Sequence, residues 1–148
     1  MYNIESTTEI AAPMQTLHEA VTTERGLRAW FVTDARLEDG LLRLDFGQRG
    51  VTLRLDRVDE SGMALTCVGE RNNPEWRGTR LSIELTPTSG GKTRVHLAQS
   101  GFSSRDEGYE RTVQGWAYFM KSLSSYVMTG AGTPFSSEPV ERHAAEAS

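Results

Sequence analysis

Three histidines, one cysteine and scattered carboxylates are the groups in this 148-residue chain that could move protons, attack a carbonyl or hold a metal. His18 falls in the first helical stretch, His96 on the polar side of a strand and His143 near the C-terminus. None has a second group at ligand or relay spacing, so no metal site and no catalytic residue is expected. Cys67 shares side-chain parity with Met63 and Leu65 and reads as a small core residue. A reactive thiol would need positive charge beside it. Asp34, Glu38, Asp39, Asp59 and Glu60 lie at strand ends and turns and make no evident carboxylate pair for hydrolysis. Gly130-Ala131-Gly132 follows a helix rather than opening one, so it lacks the N-terminal dipole a phosphate needs. It reads as a left-handed helix stop. No cofactor is expected, and these residues leave open whether the chain is an enzyme.

The chemistry the sequence does offer is apolar binding. Trp30, Phe31, Phe46, Trp76, Phe102, Tyr109, Trp116 and Phe119 cluster at element ends and along the last helix. Two readings compete: a filled core, or the wall of a pocket in which a few polar groups orient a ligand. Gln99, Thr79, Cys67 and Tyr109 are the inward polar candidates. Trp76 stands at odd parity to Leu81 unless Gly78 marks a bulge, which leaves its direction open.

Periodicity gives the elements that must position these residues. Ile4 to Ala11 reads as a strand. Ala12-Pro13 opens a helix whose apolar stripe is Leu17, Ala20 and Val21. Thr22-Thr23-Glu24 breaks it and caps a second short helix, Glu24 to Ala29. The period then becomes two: Ala35/Leu37, Leu42/Leu44/Phe46, Val51/Leu53/Leu55, Met63/Leu65/Cys67, Leu81/Ile83/Leu85 and Val95/Leu97/Gln99 each mark one face of a half-buried strand. Asp39-Gly40, Gly47-Gln48-Arg49-Gly50, Ser61-Gly62 and Gly90-Gly91 supply tight turns, and Arg71-Asn72-Asn73-Pro74 a longer one. Six strands from about Ala35 to Ser100 thus form an antiparallel meander.

The last long element runs from about Arg105 to Met128. Tyr109, Val113, Trp116, Met120, Leu123 and Val127 share one helical face, and Arg111, Gln114, Tyr118, Lys121, Ser122 and Ser125 the opposite one. As the only long element available, it is expected to cover the sheet's apolar side.

Strand, two helices, six strands and a long helix describe an α+β domain over residues 1–133, followed by a flexible polar tail, 134–148. A chain of this size buries roughly 70% of its unfolded surface and needs no covalent staple. Net charge −4 with arginines spread along the chain argues against a nucleic-acid binder. No apolar run approaches the roughly 20 residues of a membrane span. The lone cysteine and an N-terminus without a basic-then-apolar leader point to the cytoplasm.

Several phrases add a resemblance. Ala12-Pro13 and Trp30-Phe31 stand near the front, and Trp76-Arg77-Gly78-Thr79-Arg80-Leu81 opens a strand. Thr93 to Phe102 (TRVHLAQSGF) ends the meander, and Gly115-Trp116, Ser122-Leu123 and Gly130 to Pro134 (GAGTP) mark the last helix and its exit. Over residues 3 to 134 the chain resembles the START-like, helix-grip (SRPBCC) superfamily. The nearest branch is that of single-domain bacterial relatives of the heat-shock-protein-90 ATPase activator's C-terminal domain. The resemblance implies a curved seven-stranded antiparallel sheet wrapped around the C-terminal helix, with two short helices after the first strand. It also implies a cavity between sheet and helix for a small, mostly apolar ligand, lined by Trp30, Phe46, Leu53, Cys67, Thr79, Ile83, Leu97, Gln99, Trp116 and Met120. Relatives often carry His where this chain has Gln99. Because the fold hosts many activities, the alternatives are a polyketide-cyclase-like or hydrolase enzyme in the same cavity, and a protein-interaction module. Homo-oligomerisation stays open.

Overall fold

Ile4 and Ile10 turn inward along β1 (Tyr2–Ile10). The computed structural model, which describes residues 1–136, places this strand at one edge of a seven-stranded sheet. The expected meander follows as β2 (Ala35–Glu38), β3 (Leu41–Asp45), β4 (Gly50–Asp59), β5 (Gly62–Arg71), β6 (Arg80–Pro87) and β7 (Thr93–Phe102). β1 closes against β7, so the order is β1-β7-β6-β5-β4-β3-β2, and every pairing is antiparallel. Apolar alternation holds along β3, β5, β6 and β7. Along β4 it fails: the register shifts between Thr52 and Leu53 and again between Leu55 and Arg57. Leu53 is therefore fully buried, Leu55 only partly, and Val58 is exposed. Such bulges bend a strand and increase its twist.

The two short helices are α1 (Met14–Thr22) and α2 (Glu24–Trp30). Thr23 separates them in an extended conformation and caps α2, its hydroxyl accepting from the Gly26 N–H at 3.0 Å. The Trp30 indole N–H donates to the Ala20 carbonyl at 2.8 Å and locks the pair together. The long helix, α3 (Glu107–Thr129), begins where Asp106 accepts from the Tyr109 N–H at 3.0 Å. Glu107 and Glu110 in its first turn suit the positive end of its dipole. It stops at Gly130, whose φ of 89° no β-carbon has to share.

Cover of the sheet is divided among three helices, although α3 is the only long one. α1 lies on β5 and β6, α2 on β2, and α3 on β1, α1 and α2. Ser122, on the face of α3 read as polar, is buried. Its hydroxyl donates to the Trp30 carbonyl at 2.7 Å and accepts from the Thr133 N–H at 2.7 Å. A small polar side chain with two backbone partners loses little by leaving water. The same region binds the chain beyond α3. Phe135 forms a parallel bridge with Val32, donating to the Phe31 carbonyl at 2.8 Å and accepting from the Thr33 N–H at 2.9 Å. The stretch read as a tail from residue 134 therefore starts with three residues that pack into the fold; residues 137–148 lie outside the described part.

Candidate ligand-binding cleft

Gln99 follows Val95 and Leu97 on the inner face of β7 and is fully buried. A buried primary amide needs partners for its oxygen and its nitrogen. The Trp116 indole N–H donates to Gln99 Oε1 at 2.8 Å, and Gln99 Nε2 donates to Thr79 Oγ1 at 3.0 Å. The Thr79 hydroxyl in turn donates to the Trp76 carbonyl at 2.7 Å. The Trp76 indole N–H donates to Thr112 Oγ1 at 3.2 Å, and the Thr112 hydroxyl to the Gly108 carbonyl at 2.9 Å. One chain of hydrogen bonds thus joins β7, the start of β6 and α3.

Trp76 belongs to a short 3-10 helix, Pro74–Trp76, and not to a strand, so strand parity says nothing about it. Pro74 starts the turn, and Gly78 at φ 76° turns the chain back toward β6. The Cys67 N–H donates to the Thr79 carbonyl at 2.9 Å, extending the β5–β6 pairing past the turn. This geometry lays the Trp76 ring on Trp116, with centroids 6.1 Å apart and planes 24° from parallel. Phe31 meets the same indole at 5.2 Å and Phe119 edge-on at 4.8 Å. Phe46 stands across Trp76 at 6.4 Å and Phe135 across Phe46 at 5.6 Å.

These six rings wall a cleft of about 620 Å³ between the Pro74–Trp76 turn, α3 and the Pro134–Ser136 segment. Thr112, Gly115, Trp116 and Phe119 present one stripe of α3 to it, at the spacing that puts helical residues on one face. Gly115 leaves that stripe open: a β-carbon there would meet only the Phe119 ring, at 4.0 Å. Arg49, Glu75 and Arg111 are the charged residues of the lining. The Arg111 guanidinium donates to Glu75 Oε2 at 3.0 Å, and the Glu75 side chain is only 8% exposed. Tyr118 also borders the cleft, its hydroxyl donating to the Thr133 carbonyl at 2.6 Å.

Of the ten residues expected to line a cavity, Phe46 and Trp116 lie on this cleft. Gln99 and Thr79 sit behind Trp116, engaged with each other. Trp30 stacks behind Phe31 at 5.1 Å. Leu53 and Cys67 pair across β4 and β5, and Ile83 and Leu97 across β6 and β7, all buried in the core. Met120 is buried one turn along α3 from Trp116. The open space is displaced from the middle of the sheet, where α1 rests, toward the Trp76 turn. Arg49, Glu75, Arg111, Gly115 and Phe135 are among the lining residues that the sequence does not mark as cavity wall. Two left a mark: a glycine inside an amphipathic helix, and a lone phenylalanine in a polar stretch.

The other candidate groups stand apart from the cleft. Cys67 is a free buried thiol whose pKa is raised by burial. His18 bonds to the Asp59 carbonyl at 2.8 Å, and His96 to Thr7 Oγ1 at 2.8 Å. His143 lies outside the described residues. Among the described residues, no group of three or more His, Cys, Asp or Glu is placed to hold a metal, and no helix is long and apolar enough to cross a membrane.

Against known proteins, the family model described as "Activator of Hsp90 ATPase homolog 1-like protein" matches residues 11–128. No curated protein matches the chain. Among solved structures, the Aha1 dimer from Colwellia psychrerythraea superposes with TM-score 0.79 at 23% identity, covering 89% of this chain and 100% of that one. A protein from Mesorhizobium loti gives 0.72 at 20% identity, with 84% and 95% covered. DynU16, from the dynemicin biosynthetic locus, gives 0.68 at 22% identity; 88% of this chain is covered but only 48% of DynU16. At such identities the likeness concerns the fold.

Proposed function

The chain belongs to the Activator of Hsp90 ATPase homolog 1-like family, and on that premise we propose that it binds a small, mostly apolar molecule in the cleft beside Trp76 and Trp116. The observation that carries this reading is the cleft itself: about 620 Å³ lined by seven aromatic residues, with charge confined to three side chains. That volume suits a ligand of ordinary small-molecule size, and a mostly apolar wall with a few polar groups is how such sites select their occupants. Phe46 and Trp116 are the sequence-expected residues given a direct role. Gln99 and Thr79 hold Trp116 in place, and the remaining six support the core. Native mass spectrometry of gently purified protein tests the reading. A retained or accepted small molecule supports it; a chain that carries none and takes up none from an apolar compound set sinks it.

A cyclase or hydrolase working in the same cleft is the second reading, and Glu75 is its motivation as the one carboxylate of the lining. The Arg111 contact engages that carboxylate as an ion pair, which favours binding over proton abstraction. Action on a chaperone ATPase, suggested by the family's description, ranks third. Self-association is a further proposal: the Colwellia protein is described as a dimer, and β1 and β2 each have a single neighbour in the sheet here. Light scattering on the eluting protein measures it. The free Cys67 accords with the cytoplasmic placement proposed from sequence.

A further inference from the structure

Three charged side chains line the cleft, and two of them cancel. Arg111 and Glu75 are paired at 3.0 Å, so the pair offers an incoming ligand little net charge. Arg49 is the third. Among the described residues its guanidinium meets no carboxylate and no hydrogen-bond acceptor. Among the described residues, the cleft therefore carries one uncompensated positive charge, in a chain whose net charge is −4.

The position of Arg49 is not left to chance. It sits on the turn between β3 and β4, where the Phe46 N–H donates to the Arg49 carbonyl at 2.7 Å. Arg71 Nη2 donates to the Gly47 carbonyl at 2.8 Å and the Arg49 carbonyl at 3.2 Å, and itself pairs with Asp45 at 3.2 Å. Asn72 Nδ2 donates to the Gln48 carbonyl at 3.0 Å. Five contacts thus fix the turn that presents the half-buried Arg49 to a cleft walled by aromatic rings. A planar guanidinium offers two parallel N–H donors at the spacing of a carboxylate's oxygens, and a partly desolvated one gains most from such a partner.

Resting on the cleft reading above, we propose that the natural ligand is a flat, mostly apolar acid, whose carboxylate pairs with Arg49 while its ring system lies against Phe46, Trp76 and Trp116. Glu75 and Arg111, already paired with each other, do not compete for the anion.

The test is isothermal titration of the full chain with 2-naphthoate and with its neutral counterpart 2-naphthamide, at pH 7.5 and low salt. The wild type is expected to hold the acid about fivefold to tenfold more tightly than the amide, between the effect of an exposed ion pair and that of a charged hydrogen bond. Arg49→Met should bring that ratio to about one by weakening the acid far more than the amide. Arg49→Lys should restore part of it, and raising the salt should erode it in the wild type and the lysine variant, with no effect on the ratio in Arg49→Met. Equal binding of acid and amide by the wild type overturns the acid preference and leaves the cleft reading standing. A preference that survives Arg49→Met overturns the pairing with Arg49, because the charge would then come from elsewhere. Binding of neither probe overturns the cleft reading and this proposal together. Unchanged thermal midpoints in both variants separate these outcomes from loss of fold.

Discussion

The Trp116 indole N–H and the Gln99 amide oxygen meet at 2.8 Å with both side chains buried, one from α3 and one from β7. This is a fully buried polar joint between the long helix and the sheet. The amide's other end is spoken for by Thr79, so the orientation of Gln99 is set from both sides. Trp116 therefore has a double role: its nitrogen belongs to the core and its ring belongs to the cleft.

Breaking the joint from either end should leave a buried group without a partner. Gln99→Leu strands the indole N–H, Trp116→Phe strands the amide oxygen, and each should cost about 1–3 kcal/mol. Their combination should cost less than the sum, because neither orphan remains. Trp116→Ala, which also removes the ring, should cost about 3–5 kcal/mol. Urea midpoints for the four variants decide the matter; strictly additive losses would refute the coupling.

Gly115 separates stability from binding. Gly115→Ala should stabilise the protein by about 1 kcal/mol, since the position is helical and a β-carbon finds open space. Gly115→Leu should also fold, yet its side chain should occupy the cleft and abolish uptake of naphthyl probes in calorimetry. Full binding by the leucine variant would move the ligand elsewhere.

Phe135 should act as a removable wall. Phe135→Ala is expected to cost about 1–2 kcal/mol, less than a fully buried aromatic because the residue is only partly buried. The larger effect should be on the probe, whose affinity falls as the ring facing Phe46 is lost. An unchanged affinity would show that the Pro134–Ser136 segment borders the cleft without shaping binding.

Acid should weaken the fold in a defined window. The Arg57 guanidinium, then the Ser61 hydroxyl and N–H, hold the Asp59 carboxyl at about 2 against an ordinary 3.8. Asp56, Glu70 and Asp106 are lowered too, chiefly by hydrogen bonds from Thr66, Arg77 and the Tyr109 N–H. Each folded-state pKa is depressed, so the folded chain binds fewer protons than the unfolded one. The stabilisation is complete above the unfolded value and fades as pH falls from about 4 toward 2. Urea midpoints across that range should drop, and Arg57→Met, which removes the largest cause of the Asp59 shift, should flatten the drop.

What the sequence made legible was periodicity. Seven strands, two short helices and a capped long helix are local patterns of apolar residues and turn chemistry, and they appear where those patterns put them. The β4 bulges were not legible because a register shift exists only against a partner strand. Ser122 was misplaced because a helical wheel reads polarity, while burial depends on the Trp30 carbonyl and the Thr133 N–H that meet its hydroxyl. Strand parity points to the middle of the sheet because it tells which face is inward. It cannot tell where along that face the helices leave room. That depends on where α1 lies and on the Trp76 turn, whose residues obey no strand parity.

The stacked pair of Trp76 and Trp116, 6.1 Å apart and 24° from parallel, also has an optical consequence. Two indoles so close exchange excitation, so their near-ultraviolet circular dichroism carries a coupled signal set by their mutual angle. Trp30, the chain's third tryptophan, is buried behind Phe31 outside the cleft lining and serves as a built-in reference. The binding wall is its own chromophore, and an occupant that shifts either ring can be seen without attaching a label.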